Sequence, residues 1–236
     1  MIPTNTDRAR VDRPAAAPTA TDGLRLNLGC GLVAPEGWVN CDGSWNAQLS
    51  RIRPLHELVS RLPILSGSRW PTNVEYLNLN RRWRFADRSA SVVYASHAFE
   101  HLSTRSAHLF LSESARVLRP GGTLRIVIPD LLAHARAYVQ SFDSDPKARE
   151  QFLWALNMQI PEGRNLVKIA YDFITGHPSL HKTMYDPPAL SKMIVEAGFS
   201  DVLVQDRNVS RGIPDIDVLE AGPGYDHSLY VEALRA

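Results

Sequence analysis

The sequence predicts an α/β fold with a mostly parallel sheet, and two observations carry that expectation. Short apolar runs at residues 24–28, 91–96 and 123–129 alternate with stretches whose apolar residues recur at helical spacing, as they do when strands are joined by crossover helices. The first run, Leu24-Arg25-Leu26-Asn27-Leu28, passes directly into the turn Gly29-Cys30-Gly31. Ligands of open α/β sheets lie just beyond the carboxyl ends of the strands, and glycine leaves room for a ligand against the backbone. Asn27, Leu28, Gly29, Cys30 and Gly31 are therefore the first candidate ligand contacts.

A second strand closes on Asp42, eleven residues past Gly31. A carboxylate at that strand end can accept hydrogen bonds from both ribose hydroxyls of a nucleoside; an Asp there can equally cap the next turn. The spacing disfavours a dinucleotide site and with it a nicotinamide-dependent oxidoreductase. That pattern needs a third glycine and an acid about 20 residues on, whereas here Pro35 and Gly37 interrupt a gap too short for a crossover helix. A nucleoside without a pyrophosphate suits the turn better.

Between residues 43 and 73, Leu55, Leu58, Val59 and Leu62 recur at helical spacing after Pro54. The expectation is a surface helix at the sheet edge, or a substrate wall in which Trp45 and Trp70 stack on a sugar; core packing is the plainer role of each Trp. Residues 74–79 alternate like a third strand, ending with Asn78 and Leu79 on the ligand side. Arg81, Arg82 and Arg84 read as a solvated basic turn. A fourth strand ends at Ser96 and is followed at once by His97-Ala98-Phe99-Glu100-His101. Thr104 is the expected cap of a helix running to Leu118, with Leu109, Leu111, Ala115 and Leu118 on its buried face. Pro120-Gly121-Gly122 turns the chain into the fifth strand. Asp130, at the end of that strand, either caps the next helix or faces the ligand. Residues 131–185 exceed an ordinary connection and carry helical patterns at 133–142 and 146–158, the expectation for a substrate lid. Asp186-Pro187-Pro188 opens a clear helix that Gly198 ends. Strands at 201–205 and 228–233, separated by a long polar loop, complete the chain.

Composition narrows the class. The 236 residues are 44% hydrophobic and 22% charged, with a net charge of +1 from 26 basic and 25 acidic side chains. That balance gives no general attraction to nucleic acid or an anionic membrane surface, and no apolar run reaches the length of a membrane span. Residues 1–22 are rich in Pro, Ala, Thr and charged residues and lack an apolar core, so a disordered tail without a secretory signal is expected ahead of a single domain at 23–236. The only cysteines, Cys30 and Cys41, read as small packing residues in a reducing, cytoplasmic setting.

His97, Glu100 and His101 stand where the sheet presents its ligands, spaced to share one side of a nascent helix. An imidazole with a neighbouring carboxylate can take a proton from an acceptor near neutral pH. The expectation is His101 as base and Glu100 as its orienter, with Ser96 and His97 lining the cofactor side. Asp130, His177 and His181 are further candidates. Asp130 together with Glu100 or His101 is a possible Mg²⁺ set, since that ion favours carboxylate oxygens.

The motifs LNLGCG at 26–31, GWVNCD at 37–42, YASHAFEHL at 94–102, RVLRPGGTLRIVIPD at 116–130 and HKTMYDPPALSKMIVEAGF at 181–199, taken in order, resemble the class I S-adenosylmethionine-dependent methyltransferases. They are most similar to small predicted members tied to polysaccharide and sugar modification. The resemblance implies a Rossmann-like sheet of seven strands with helices on both faces and an antiparallel last strand. It also implies S-adenosylmethionine as cofactor, held by residues 27–31, Asp42, Asn78, Leu79, Ser96 and His97. The acceptor it implies is a hydroxyl of a sugar or oligosaccharide, in its narrowest form a mannoside of the methylmannose polysaccharide kind made by mycobacteria. A homodimer is compatible with it. Asn27 and Asn78 depart from the acids that many of these enzymes carry at the corresponding positions. Transfer to nitrogen or carbon of a natural product, and a cofactor-binding partner protein without catalysis, are the alternatives.

Overall fold

A computed structural model of the chain describes residues 23–44, 52, 71–157, 180–221 and 227–236. The expected tail at 1–22, the helix around Leu55–Leu62, Trp45, Trp70 and His177 lie outside the described residues.

Seven strands form one sheet: β1 (Leu24–Leu28), β2 (Val39–Asp42), β3 (Val74–Tyr76), β4 (Ala90–Ser96), β5 (Leu118–Pro129), β6 (Phe199–Gln205) and β7 (Ser228–Arg235). Their order across the sheet is β3-β2-β1-β4-β5-β7-β6. The β1–β2, β1–β4, β2–β3 and β4–β5 pairs are parallel, and β7 runs antiparallel between β5 and β6. This is the Rossmann-like methyltransferase sheet expected from the sequence. The order reverses between β1 and β4, the kind of switch point where open α/β sheets hold ligands.

Alternate residues of the strands serve opposite faces, which explains why the central strands are apolar throughout. Leu26, Leu28, Val93, Ala95, Leu124, Ile126 and Ile128 share a core with α1 (Thr104–Val117) and α4 (Pro187–Glu196). Val92, Tyr94 and Val127 pack on the other face with Trp38 and with Ile216 and Leu219 of α5 (Ile216–Leu219). Two further helices, α2 (Leu131–Ser141) and α3 (Ala148–Ala155), stand beyond the carboxyl end of β5. They meet through the stacked rings of Tyr138 and Phe152, 5.0 Å apart.

Several local expectations are corrected. Ser103, rather than Thr104, caps α1 by accepting from the Ser106 N–H. The buried stripe of α1 is Ala107, Phe110, Leu111, Ser114 and Val117, while Leu109 and Ala115 are half-buried. The third strand ends at Tyr76, so Asn78 and Leu79 stand in the turn after it. Pro120-Gly121-Gly122 interrupts pairing as a bulge within β5, with Gly121 at φ 74°, a conformation cheap only for glycine.

The polar loop between β6 and β7 is held by a charge buried in the sheet. Arg125 of β5 is fully buried. Its guanidinium donates to both carboxylate oxygens of Glu220 at 2.8 and 3.1 Å and to the carbonyls of Val209 and Asp206, with Glu232 of β7 at 3.5 Å. Glu232 in turn accepts from the Arg211 N–H. This network folds residues 206–220 down onto the sheet and seats Ile213, Ile216 and Leu219 there. Arg125→Ala would leave two buried carboxylates without their cation, so it is expected to lower unfolding stability by about 3–5 kcal/mol. Urea denaturation followed by circular dichroism checks this, and a loss below about 1 kcal/mol would show the network to be dispensable.

Candidate active site

The carboxyl ends of β1 and β2 are tied together by backbone. The N–H groups of Gly29 and Cys30 both donate to the Cys41 carbonyl, at 2.8 and 3.0 Å. Gly29 (φ 69°) and Gly31 (φ 52°) both take left-handed conformations, for different reasons. A Cβ on Gly29 would lie 2.4 Å from the Ala98 Cβ, whereas one on Gly31 would meet no described residue within 4 Å. Gly29 lets the turn after β4 close against the turn after β1; Gly31 keeps an open cradle. Asp42 aims at that cradle from β2, accepting from the Gly31 N–H at 3.0 Å and the Ser44 N–H at 2.7 Å. Each carboxylate oxygen retains a second acceptor site for a ribose hydroxyl. An open glycine cradle beside an ordered carboxylate fits the nucleoside part of S-adenosylmethionine.

Asn27 is buried and spends its amide hydrogens within the protein, on the Val33 carbonyl and the Asn40 side chain at 2.8 and 2.9 Å. Asn78 accepts from the Asn80 backbone and side-chain amides. Leu79 packs against the main core. Burial raises the Cys30 thiol far above its ordinary range and pushes Cys41 up to about 11. Both thiols stay protonated, as packing residues do.

On the acceptor side, a cavity of about 790 Å³ opens beyond β4, β5 and β7. His97, Glu100, His101 and His181 line it on one side and Tyr138, Phe152 and Trp154 of α2 and α3 are also exposed to it. Glu100 lies in a single 3₁₀ turn, Phe99–His101, and is 1% exposed. Among the described residues, neither of its oxygens has a hydrogen-bond partner. His97 Nδ1 stands 3.3 Å from Glu100 Oε1 but is not aligned for a hydrogen bond, and His181 Nε2 stands 4.0 Å away. The backbone carbonyl of Glu100 accepts from Lys182 and Thr183, which fixes the segment bearing His181 against the turn. Burial holds the His181 imidazole below its ordinary pKa, against the opposite pull of Glu100.

The expected pairing inside this cluster is different in the structure. His101 Nδ1 lies 3.2 Å from the Leu180 carbonyl, so Leu180 orients it, while Glu100 faces His97 and His181. His97 takes φ 50° and its Nε2 is 3.3 Å from the Ser228 hydroxyl. Asp130 caps α2 through the N–H groups of Leu132 and Ala133 and is not among the described residues lining the cavity. The metal-ligating side chains that come together among the described residues are Glu100, His101 and His181, without Asp130. Sequence reasoning also missed the aromatic wall and the His134–His227 ring pair, 5.2 Å apart. The one available signal was the spacing of His134 and Tyr138, which places them on the same side of α2.

Residues 26–126 match the family model described as a methyltransferase domain. No curated protein matches the sequence. Among solved structures, a S-adenosylmethionine-dependent methyltransferase of Methanosarcina mazei is 17% identical, with 93% of this chain and 94% of that chain covered and a TM-score of 0.48. One from Archaeoglobus fulgidus is also 17% identical, covering 91% and 88%, with a TM-score of 0.47. A phosphoethanolamine N-methyltransferase of Haemonchus contortus, solved with S-adenosylhomocysteine, is 13% identical over 92% of this chain and 50% of that one, with a TM-score of 0.47. The family match covers less than half of the chain, and the sheet order is that of the Rossmann-like methyltransferase fold. No helix among the described residues is long and apolar enough to cross a membrane.

Gly31→Val would fill the open cradle, and Asp42→Ala would remove the acceptor that orders it. Calorimetry with S-adenosylhomocysteine is expected to show Asp42→Ala weakening binding by about 1–3 kcal/mol, the range for polar groups left unpaired, and Gly31→Val weakening it at least as much. Unchanged affinity in both variants would move the cofactor elsewhere.

Proposed function

We propose that this methyltransferase domain transfers a methyl group to a hydroxyl of a sugar or polysaccharide precursor, in its narrowest form a mannoside. The observation that carries the reading is the cavity itself, which sets an imidazole cluster and an aromatic wall around one space. Its volume of about 790 Å³ is that of a small-molecule site. Tyr138, Phe152 and Trp154 offer apolar faces with which the C–H face of a saccharide ring can stack. Trp154 is 78% exposed at that wall, an unusual cost for a side chain with only a structural role.

S-adenosylmethionine supplies an electrophilic methyl group when bound; the chain's own task is to align the acceptor and deal with its proton. A hydroxyl is a weak nucleophile while it keeps that proton, which is why a hydroxyl acceptor, more than an amine, calls for this cluster. His101 is the residue we place at the acceptor oxygen. Donation of its Nδ1–H to Leu180 selects the tautomer whose Nε2 carries the lone pair. Glu100 places its carboxyl at the buried back of the cluster, 3.3 Å from His97 and 4.0 Å from His181. α2 and α3 shield the acceptor from water.

The test is turnover with labelled S-adenosylmethionine against a panel of mannosides, other sugars and small amines. His101→Ala is expected to lower turnover on the preferred sugar by about 10²–10⁴-fold, the usual worth of general-base assistance, with cofactor affinity unchanged. Methylation of amines alone, at a rate indifferent to His101→Ala, would replace the hydroxyl reading with N-methyl transfer.

A further inference from the structure

We propose that Glu100, His101 and His181 form a binding site for a divalent transition-metal ion at the back of the cavity. One ligand atom from each lies within 4.8 Å of the other two.

Three independent features point to an ion. The first is the Glu100 carboxylate, 1% exposed with both oxygens lacking a hydrogen bond among the described residues. Such a group is costly to bury unless a cation or donors face it, and the imidazole nitrogens of His97 and His181 stand 3.3 and 4.0 Å from its Oε1. The second is His101, whose Nδ1 is engaged by the Leu180 carbonyl at 3.2 Å. Metal-bound histidines commonly donate their other ring N–H to such an acceptor, which fixes the tautomer and presents the remaining lone pair. The third is that the ligand-bearing segments are locked by backbone. Lys182 and Thr183 donate to the Glu100 carbonyl, so main-chain contacts bring His181 to Glu100 and His101.

The geometry needs little adjustment. Ligands about 2.0–2.1 Å from a tetrahedral ion sit about 3.3 Å from one another. The 4.0 Å between Glu100 Oε1 and His181 Nε2 closes to that value by a side-chain movement of less than about 1 Å. Two imidazoles and one carboxylate select zinc, iron, cobalt or nickel over magnesium, which prefers oxygen alone. Three protein ligands also leave a coordination position for a further oxygen. The ion's role, though not its binding, rests on the hydroxyl-transfer reading. At that open position the acceptor's hydroxyl is acidified and loses its proton to water, the oxygen keeping the electron pair. The His101 lone pair then serves as a ligand to the ion instead of taking the proton itself.

The experiment uses the full chain, free of any affinity tag and stripped with a chelator. It is titrated with Co²⁺ and read by visible absorption and calorimetry. One equivalent is expected to bind with the absorption of a low-coordinate nitrogen–oxygen site, and Zn²⁺ is expected to displace it. Glu100→Gln and His181→Ala should each weaken that binding by at least about tenfold. Glu100→Gln keeps the shape and removes the buried charge, so it tests the site even if His181→Ala fails to fold. Absence of saturable Co²⁺ binding, or binding equally tight in a folded Glu100→Gln variant, overturns the proposal. Sugar methylation that proceeds undiminished in the stripped enzyme removes the ion from the reaction and leaves the hydroxyl reading standing. Specific Co²⁺ binding in a protein that methylates only amines supports the site and overturns the role given to it.

Discussion

A methyl group on Gly29 would stand 2.4 Å from the Cβ of Ala98, closer than real carbon atoms approach. The arrangement of the site depends on that missing group. β1 and β4 are paired in parallel with Leu28 opposite Ala95, so their carboxyl ends arrive side by side. Without a Cβ at position 29, the turns that leave those ends can touch. One carries the Gly31 cradle and the other carries His97, Glu100 and His101. The distance between the Gly31 turn and the His97–His101 cluster is thus set by a close contact inside the sheet edge, not by mobile side chains. In-line transfer between two bound molecules rewards such fixed placement, because misalignment is paid in rate.

The second tension is electrostatic. Glu100 is almost wholly buried, yet the hydrogen bonds around it run to its backbone carbonyl, from Lys182 and Thr183. Its carboxylate is left to face imidazoles. Elsewhere in the chain, buried carboxylates are treated differently. Glu113 accepts from the Trp83 N–H and from Arg116, and Glu220 and Glu232 close on Arg125. The fold clearly can satisfy a buried acid with arginine or backbone donors. At Glu100 it does not, and the adjoining His97 is held at φ 50°, a conformation that non-glycine residues adopt at some cost. Unmet polar demand and backbone strain at one place are more readily understood as the requirements of a reaction than of stability.

The Gly-x-Gly turn, Asp42 and the His97–His101 cluster were legible because each follows a strand directly, and a strand's end is easy to see in a run of β-branched and apolar residues. The capping roles of Asp130 and Asp186 were legible for the same local reason. What the sequence concealed depends on long-range pairing. Arg125 reads as one polar residue in an apolar strand; its partners Glu220 and Glu232 are 95 and 107 residues away. The loop that it pins therefore read as merely polar, and α5 within it went unseen. Within the His97–His101 cluster, helical spacing suggested that Glu100 would serve His101. The chain instead forms only one 3₁₀ turn there, which directs Glu100 back toward His97 and leaves His101 to the carbonyl of Leu180. No spacing rule could supply that carbonyl, because it comes from a segment 79 residues later.

Asn27 shows how a departure from a family pattern can be absorbed. Its amide donates at once to the Val33 carbonyl and to Asn40 Oδ1, and Asn40 in turn donates to the carbonyls of Pro35 and Trp38. A carboxylate at position 27 has no hydrogen to give, so it would set negative charge against two acceptors in a buried site. The two asparagines therefore form one unit. Together they hold the loop from Cys30 to Trp38 down over the ends of β1 and β2, the loop whose first residues frame the Gly31 cradle. The amide works because Asn40 is its partner, and so Asn27 by itself is no argument against a working cofactor site.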